Sequence, residues 1–360
     1  MPVQRIDQLI ITASPGDAIT SMTLALRDQL RASVLSDVYA LTVLPSLSNE
    51  VLPLQRLGPD VPNSALVYHS SFGEPELTHL LRHRRQPMAM IFHNLTPPEY
   101  FEAHSSRFAT GLLWGFHELS QLRDRWSVVI ADSDFNAQVL RQHGFSNVQS
   151  VTLGVQTDRL SKIPTRPALS EELRSRFPDG YVISIGQQLP HKRVEVAIIA
   201  LHLLHQVHRR RIGLVIAGAE RIPSYSSALR GLCHRLRLDD HVFFTGAVSD
   251  PDLATLLRQS HCLLLTSDHE GFGIPPLEAM EELVPVIAKG VGAIPDTVGG
   301  GGLVLPHDAG PCLFAEAVDR LLSDKALRSD LVLAGLEHVD SFASADRSAD
   351  IVGLLQDAFQ

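Results

Sequence analysis

The chain has 360 residues, a net charge of −9, and 44% hydrophobic against 20% charged residues. That length exceeds one ordinary core and suits two domains, and that balance describes a folded globular protein rather than a disordered one. No apolar run approaches the ~20 residues of a membrane-spanning helix, and the acidic balance argues against nucleic acid as a main partner.

The first residues run directly into the apolar Leu9, Ile10 and Ile11 without the layout of a signal peptide, so the expected location is cytoplasmic. Strands are expected near 8–12, 38–43, 65–69, 88–93, 127–131 and 148–152, with helices near 18–32, 107–125 and 134–143. Such alternation points to α/β units around parallel sheets. Residues 162–170 are rich in turn formers, and Ser170 with Glu172 behind it reads as a helix cap. The boundary between an N-terminal domain, 1–168, and a C-terminal domain, 169–340, is placed there, with a terminal segment over 341–360. The alternation restarts with strands near 180–185, 212–217, 241–244, 262–266, 285–288 and 302–305. Helices are expected near 193–208, 224–236, 250–259, 275–283, 311–323 and 327–340. Cys233, Cys262 and Cys312 have no metal-ligand spacing and leave an odd number, which fits a reducing compartment. His79 with His83, and His202 with His205, stand at helical spacing without a cysteine or carboxylate set nearby; both pairs read as helix-surface residues, and no metal site is expected.

The most informative stretch runs from Ser267 to Met280. An apolar strand is followed by a loop with Gly271 and Gly273 around Phe272, and Pro275 and Pro276 open a helix, where a missing N–H costs nothing. A strand, a glycine-bearing loop and a helix N-terminus aim free amides and the positive end of a dipole at one place, which suits a phosphate. Glu270 and Glu278 bracket it, with seven residues between. A carboxylate on each side of a phosphate suggests a ligand with hydroxyls as well, Glu278 facing a ribose and Glu270 a sugar. The competing reading is a helix start with one capping and one solvated glutamate. A second strand, turn and helix start lies at Gly186 to Arg193, where Lys192 is placed to reach a diphosphate.

At these residues the chain resembles the retaining glycosyltransferases of family 4, which have the GT-B fold: two Rossmann-like, doubly wound α/β domains facing each other across a cleft. The core from Glu270 through Phe272, Gly273, Ile274 and Pro275 to Glu278 matches their signature, and looser likeness extends over nearly the whole chain. The resemblance implies that Glu278 binds the ribose, that Glu270 touches the donor sugar, and that the amides of Phe272, Gly273 and Ile274 hold the diphosphate. It implies that Lys192 offsets charge on the leaving nucleotide. The family usually has arginine immediately after the glycine, where this chain has Gln187, so one cationic contact is missing, which Arg193 partly replaces. In the first domain, Gly16 matches a loop that approaches the donor, while Asp17 beside it reads as a helix cap. His93 matches a position facing donor sugar and acceptor, and Ser133 and Asn136 match a segment near the cleft. The terminal segment is similar to the family's helix that crosses back onto the first domain.

The expected activity is transfer of a sugar from a nucleotide diphosphate sugar to an acceptor hydroxyl, with retention, no metal and no cofactor beyond the donor. His93, Lys192 and Glu270 are the candidate catalytic residues. The acceptor is expected to be a glycan or lipid-linked, and Arg82, Arg84 and Arg85 form a basic cluster suited to an anionic acceptor or membrane surface, or else a solvated helix end. A nucleotide-sugar epimerase or hydrolase, and a binding subunit without chemistry, remain the alternatives.

Overall fold

The structure, a computed structural model, describes residues 3–151, 159–344 and 348–360. Residue 152, at the end of one expected strand, and residues 345–347 of the terminal segment lie outside them. The chain divides into two compact units. Within the described residues the first takes in 3–102, 106–151 and 348–360, and the second 103–105 and 159–344.

The first unit carries, in order, β1 (Arg5–Ala13), α1 (Ala18–Leu30), β2 (Val38–Val43), β3 (Leu52–Pro53), β4 (Ser64–Ser70), α2 (Pro75–His83), β5 (Met88–Phe92), α3 (Ser106–Leu122), β6 (Val128–Ala131), α4 (Asp134–Gln142) and β7 (Val148–Ser150). The second carries α5 (Pro167–Arg176), β8 (Tyr181–Ile185), α6 (Val194–Gln206), β9 (Gly213–Ala217), α7 (Pro223–Arg235), β10 (Val242–Gly246), α8 (Asp250–Arg258), β11 (Leu263–Leu265), α9 (Ile274–Glu281), β12 (Val286–Lys289), α10 (Ile294–Val298), β13 (Gly302–Leu305), α11 (Pro311–Ser323) and α12 (Lys325–Ser344). Last comes α13 (Ser348–Ala358).

All pairings are parallel, in the orders β3-β2-β1-β4-β5-β6-β7 and β10-β9-β8-β11-β12-β13. Parallel strands covered by helices on both faces need continuous apolar runs, and β4, β5, β6 and β9 are buried along their whole length. In each sheet the order reverses once, between β1 and β4 and between β8 and β11. Loops leaving the carboxyl ends of such neighbours diverge and open a crevice, the usual ligand position in these sheets.

Three details differ from the sequence reading. The boundary expected at 168 falls inside α5: Pro167 reads as a breaker but occupies the first helical turn, where proline is accepted. Ser170 is therefore inside the helix rather than at its cap. The boundary expected at 340 falls inside α12, which continues while its apolar face still packs, Phe342 meeting Phe272 edge to face at 6.3 Å. Beyond it, α13 belongs to the first unit, where Ile351, Leu355 and Phe359 join a cluster with Ile6, Leu30, Val67 and Ile91. His205 is the third difference: it is buried and bonds the Ile212 carbonyl at 2.8 Å, while His79 and His83 are exposed. Cys262 is buried and behaves as a small apolar residue, its thiol pushed up to about 12 by burial.

Candidate active site

In the second unit the loops after β8 and β11 are laced together. The hydroxyl of Thr266 donates to the carbonyls of Lys192 and Arg193 at 3.0 Å each, and the amide of Asp268 donates to the His191 carbonyl at 2.8 Å. Lys192 closes one turn of 3-10 helix, and Arg193, with φ of 50°, turns the chain into α6. These bonds bring the two chemically distinctive side chains face to face. Lys192 Nζ lies 2.7 and 2.8 Å from the two carboxylate oxygens of Glu270, and the Ser267 hydroxyl donates to Glu270 Oε1 at 2.7 Å. The lysine side chain is 24% exposed and the glutamate 9%. Beside them His191 is buried, and desolvation, with the charge of Lys192, holds its pKa well below 6.5, so it is neutral.

Helix α9 starts at this spot. Gly273, at φ of 100°, is its N-cap, and Pro275 and Pro276 fill the first turn. The first amides of a helix have no partner within it, so the segment through Phe272, Gly273 and Ile274 presents donors and a positive dipole end next to the lysine–glutamate pair. The turn is anchored from behind by Thr297, whose hydroxyl donates to the Phe272 carbonyl at 2.5 Å. The backbones after β8 and β9 also close on each other: at Gly218, with φ of 157°, a Cβ would lie 1.8 Å from the Gly186 carbonyl oxygen, so only glycine fits.

Glu278 is buried in α9 and takes a hydrogen bond from Arg159 Nη2 at 2.6 Å; the same guanidinium also meets Asp250. Arg193 is turned toward carboxylates, Glu195 at 2.8 Å and Asp268 at 3.3 Å, and Lys289 pairs with Asp268 as well. Gln187 accepts a bond from Arg221 Nε at 3.3 Å, so a guanidinium from the loop after β9 stands beside it.

In the first unit Gly16, at φ of 70°, ends a loop whose next residue, Asp17, caps α1 by accepting from the Thr20 amide at 2.9 Å. His93 follows β5, and its side chain is 3% exposed. Its Nδ1 lies 3.0 Å from Asp132 Oδ2 and its Nε2 lies 2.9 Å from Nδ1 of His69. Ser133 caps α4 through the Asn136 amide, and the Asn136 side chain donates to Asp132 Oδ1 at 2.5 Å. The basic cluster divides: Arg84 binds the Gly58 carbonyl and Asp60, whereas Arg82 and Arg85 are exposed. Among the described residues no three His, Cys, Asp or Glu side chains are grouped to hold a metal, and no helix is long and apolar enough to cross a membrane.

Lys192, Glu270 and the start of α9 are thus brought together in one unit, while Gly16 and His93 stand in the other. The sequence reading missed Arg159, Arg221, His69 and Asp132. Apart from the bond between Asp132 and Asn136 four residues on, each meets its partner through the fold rather than through spacing.

Comparison with known proteins adds to this geometry. Residues 165–338 match the family described as glycosyl transferases group 1. The chain is 27% identical over 272 residues to the O-antigen chain mannosyltransferase B of Escherichia coli, covering 73% of this chain and 68% of that protein. It is 30% identical over 227 residues to the D-inositol 3-phosphate glycosyltransferase of Acidothermus cellulolyticus, covering 57% of this chain and 49% of that one. Among solved structures it is similar to the Anabaena protein HepE in complex with UDP-glucose, with a TM-score of 0.74 over 97% of this chain and 99% of that one at 18% identity, a likeness of fold.

Proposed function

Since this chain has the GT-B fold and its residues 165–338 match the glycosyl transferases group 1 family, we propose that it moves a sugar from a nucleoside diphosphate sugar to an acceptor hydroxyl in glycan synthesis, with retention and without a metal. The observation that carries the reading is the Lys192–Glu270 pair at the N-terminus of α9.

An incoming diphosphate competes with Glu270 for the ammonium of Lys192 and takes the amides around Gly273. Glu270, released from the lysine, is then free to accept from hydroxyls of the donor sugar. As the bond from the anomeric carbon to the phosphate oxygen breaks, negative charge grows where the lysine and the helix start already point, and that charge is what they stabilise. In a retaining transfer the acceptor oxygen bonds to the same carbon on the same face, and its proton passes to the departing phosphate oxygen. No protein nucleophile is needed, and positioning carries the rest. The acceptor is taken to be a glycan or a lipid-linked sugar. Mannosyl donors come first in the test, because the Escherichia coli relative is a mannosyltransferase.

The experiment is a panel of UDP-, GDP-, ADP- and dTDP-sugars read by thermal shift, then a transfer assay with the donor that stabilises the fold. Lys192→Ala and Glu270→Ala should each lower transfer more than about tenfold, the loss of a donor or its partner at developing charge. Turnover of donor without any acceptor would assign an epimerase or hydrolase instead. Binding without turnover under any acceptor would assign a binding subunit.

A further inference from the structure

In the first sheet, four neighbouring strands contribute one side chain each to an unbroken row that runs from the middle of β1 to the carboxyl ends of β4, β5 and β6. Gln8 comes from β1, His69 from β4, His93 from the end of β5 and Asp132 from the end of β6, the order in which these strands pair. Gln8 Nε2 donates to the Thr23 carbonyl at 3.1 Å, and Gln8 Oε1 lies 2.9 Å from His69 Nε2. His69 Nδ1 lies 2.9 Å from His93 Nε2, and His93 Nδ1 lies 3.0 Å from Asp132 Oδ2. Asp132 keeps its other oxygen on the Asn136 amide. All of this is buried: Gln8 is 0% exposed, and the Asp132 side chain 5%.

The row leaves little freedom in where its protons sit. The Thr23 carbonyl can only accept, so the Gln8 amide must turn its NH2 there and its oxygen toward His69. That oxygen can also only accept, so His69 Nε2 must carry a hydrogen. At the far end the carboxylate of Asp132 demands a hydrogen on His93 Nδ1. Between the rings, two nitrogens at 2.9 Å need one hydrogen to bond rather than set lone pair against lone pair. Four ring nitrogens therefore hold three protons, one more than two neutral imidazoles have.

The extra charge has two possible seats. His69 is wholly enclosed, and desolvation, with His93 beside it, pushes its pKa well below 6.5. His93 touches the carboxylate, which stabilises a cation on the ring next to it. We propose that Gln8 and His69 are positioning residues that hold His93 as an imidazolium paired with Asp132, so that His93 serves the protein as a fixed cation and not as a base. Both of its N–H groups are committed inside the protein. A sugar hydroxyl would have to displace His69 to reach Nε2, and His93 has no lone pair with which to take a proton from an acceptor. In the transfer proposed above, this leaves the departing phosphate oxygen as the proton's destination. Among the described residues, the titratable groups bonded to His93 are Asp132 after β6 and His69 from β4, and the amides of Gln8 and Asn136 bond those two in turn.

The test needs neither donor nor acceptor, so its failure is distinct from failure of the transferase reading. Histidine-15N-labelled full-length protein is examined by NMR at about pH 7.5, above the usual imidazole value of about 6.5. The expected spectrum has one ring with both nitrogens protonated, assigned to His93 by its loss in His93→Gln. The proposal is overturned if His69 and His93 each keep one bare nitrogen. Gln8→Leu removes the acceptor that fixes the outer end, so His69 can present Nδ1–H inward and the signature should vanish. Its survival in Gln8→Leu would show that Gln8 does not position the proton. Should that variant fail to fold, Asp132→Asn probes the other end with its shape kept: its amide can donate to His93 Nδ1, and the doubly protonated ring should again be lost. Persistence of that ring in Asp132→Asn would equally refute the row.

Discussion

The crossing loops of the second unit and the histidine row of the first are made of similar material, charged and polar side chains at the carboxyl ends of parallel strands. They differ in what they leave open. Lys192 is 24% exposed and its partner is a carboxylate that a phosphate can replace like for like. His93 and Asp132 are 3% and 5% exposed, and each bond of the row ends on another protein group. An exchangeable ion pair at a helix N-terminus is suited to binding, because the ligand supplies what it displaces. A closed buried row is suited to holding one protonation state, because opening it leaves an unpaired group in low dielectric.

That contrast breaks most sharply at Lys192. If the pair acts as a unit, the double variant Lys192→Ala with Glu270→Ala should transfer sugar about as poorly as the worse single variant, rather than as the product of two losses. Each single loss is expected at roughly 10²–10³-fold, the scale for removing a donor to developing charge. Measured kcat/KM for the four proteins decides it, and multiplied losses would mean that the two residues serve separate steps.

The next largest effect concerns a second buried acid of the first unit. Glu118 accepts from the Tyr68 hydroxyl at 2.8 Å and the Thr78 hydroxyl at 2.5 Å, and Trp114 donates to Thr78 at 2.8 Å. Desolvation, with the charge of Glu74, raises its pKa to about 7 despite those bonds. The folded value lies above the unfolded one, so the folded state binds more protons between them. Glu118 therefore favours folding fully below about pH 4.5, and that contribution falls as pH rises to about 7, by about 3 kcal/mol, then stays level. Glu118→Gln should raise Tm relative to the parent at about pH 8 and do little at about pH 4.5. An equal shift at both pH values would show that its carboxyl is not held protonated.

How far the sequence carried these sites follows from how local they are. Glycines, prolines and a strand end within a few residues of one another announced the start of α9, because backbone conformation and missing donors are properties of adjacent residues. Lys192 and Glu270 were both visible, but not their mutual bond, since 78 residues separate them. The row in the first unit was nearly invisible: its links span 61, 24 and 39 residues, and His69 looks like any polar residue in an apolar strand. Arg159 and Arg221 were hidden for the same reason. The sheets themselves were legible because their strands are continuous apolar runs, whereas β3, a two-residue strand, offered no period to detect.

Arg221 gives a smaller test on the open side of the comparison. Gln187 stands where the family usually places arginine, and the bond from Arg221 puts a guanidinium beside it. If that cation meets the diphosphate, Arg221→Ala should raise the Kd of the nucleoside diphosphate roughly three- to tenfold, the ~1 kcal/mol of a solvent-screened charged contact. The affinity of the plain nucleoside should not change. Gln187→Arg in that background should recover affinity, and equal weakening of nucleoside and diphosphate would remove Arg221 from the phosphate side.

The smallest effect separates support from function beside Gly16. Asp17 lies in the loop that the resemblance aims at the donor, yet its carboxylate accepts from both the amide and the hydroxyl of Thr20 at 2.9 Å, and that hydroxyl in turn accepts from the Ser14 amide at 3.2 Å. The side chain is therefore occupied in ending the loop and starting α1. Asp17→Ala should cost about 1 kcal/mol, as the loss of an N-cap does, and Asp17→Asn, which still caps, should restore most of it. Neither should change KM for the donor by more than about twofold once the proteins are assayed well below their Tm. If Asp17→Asn keeps its Tm but loses donor affinity, the charge at this loop serves the ligand, and the first unit has an open site beside its closed one.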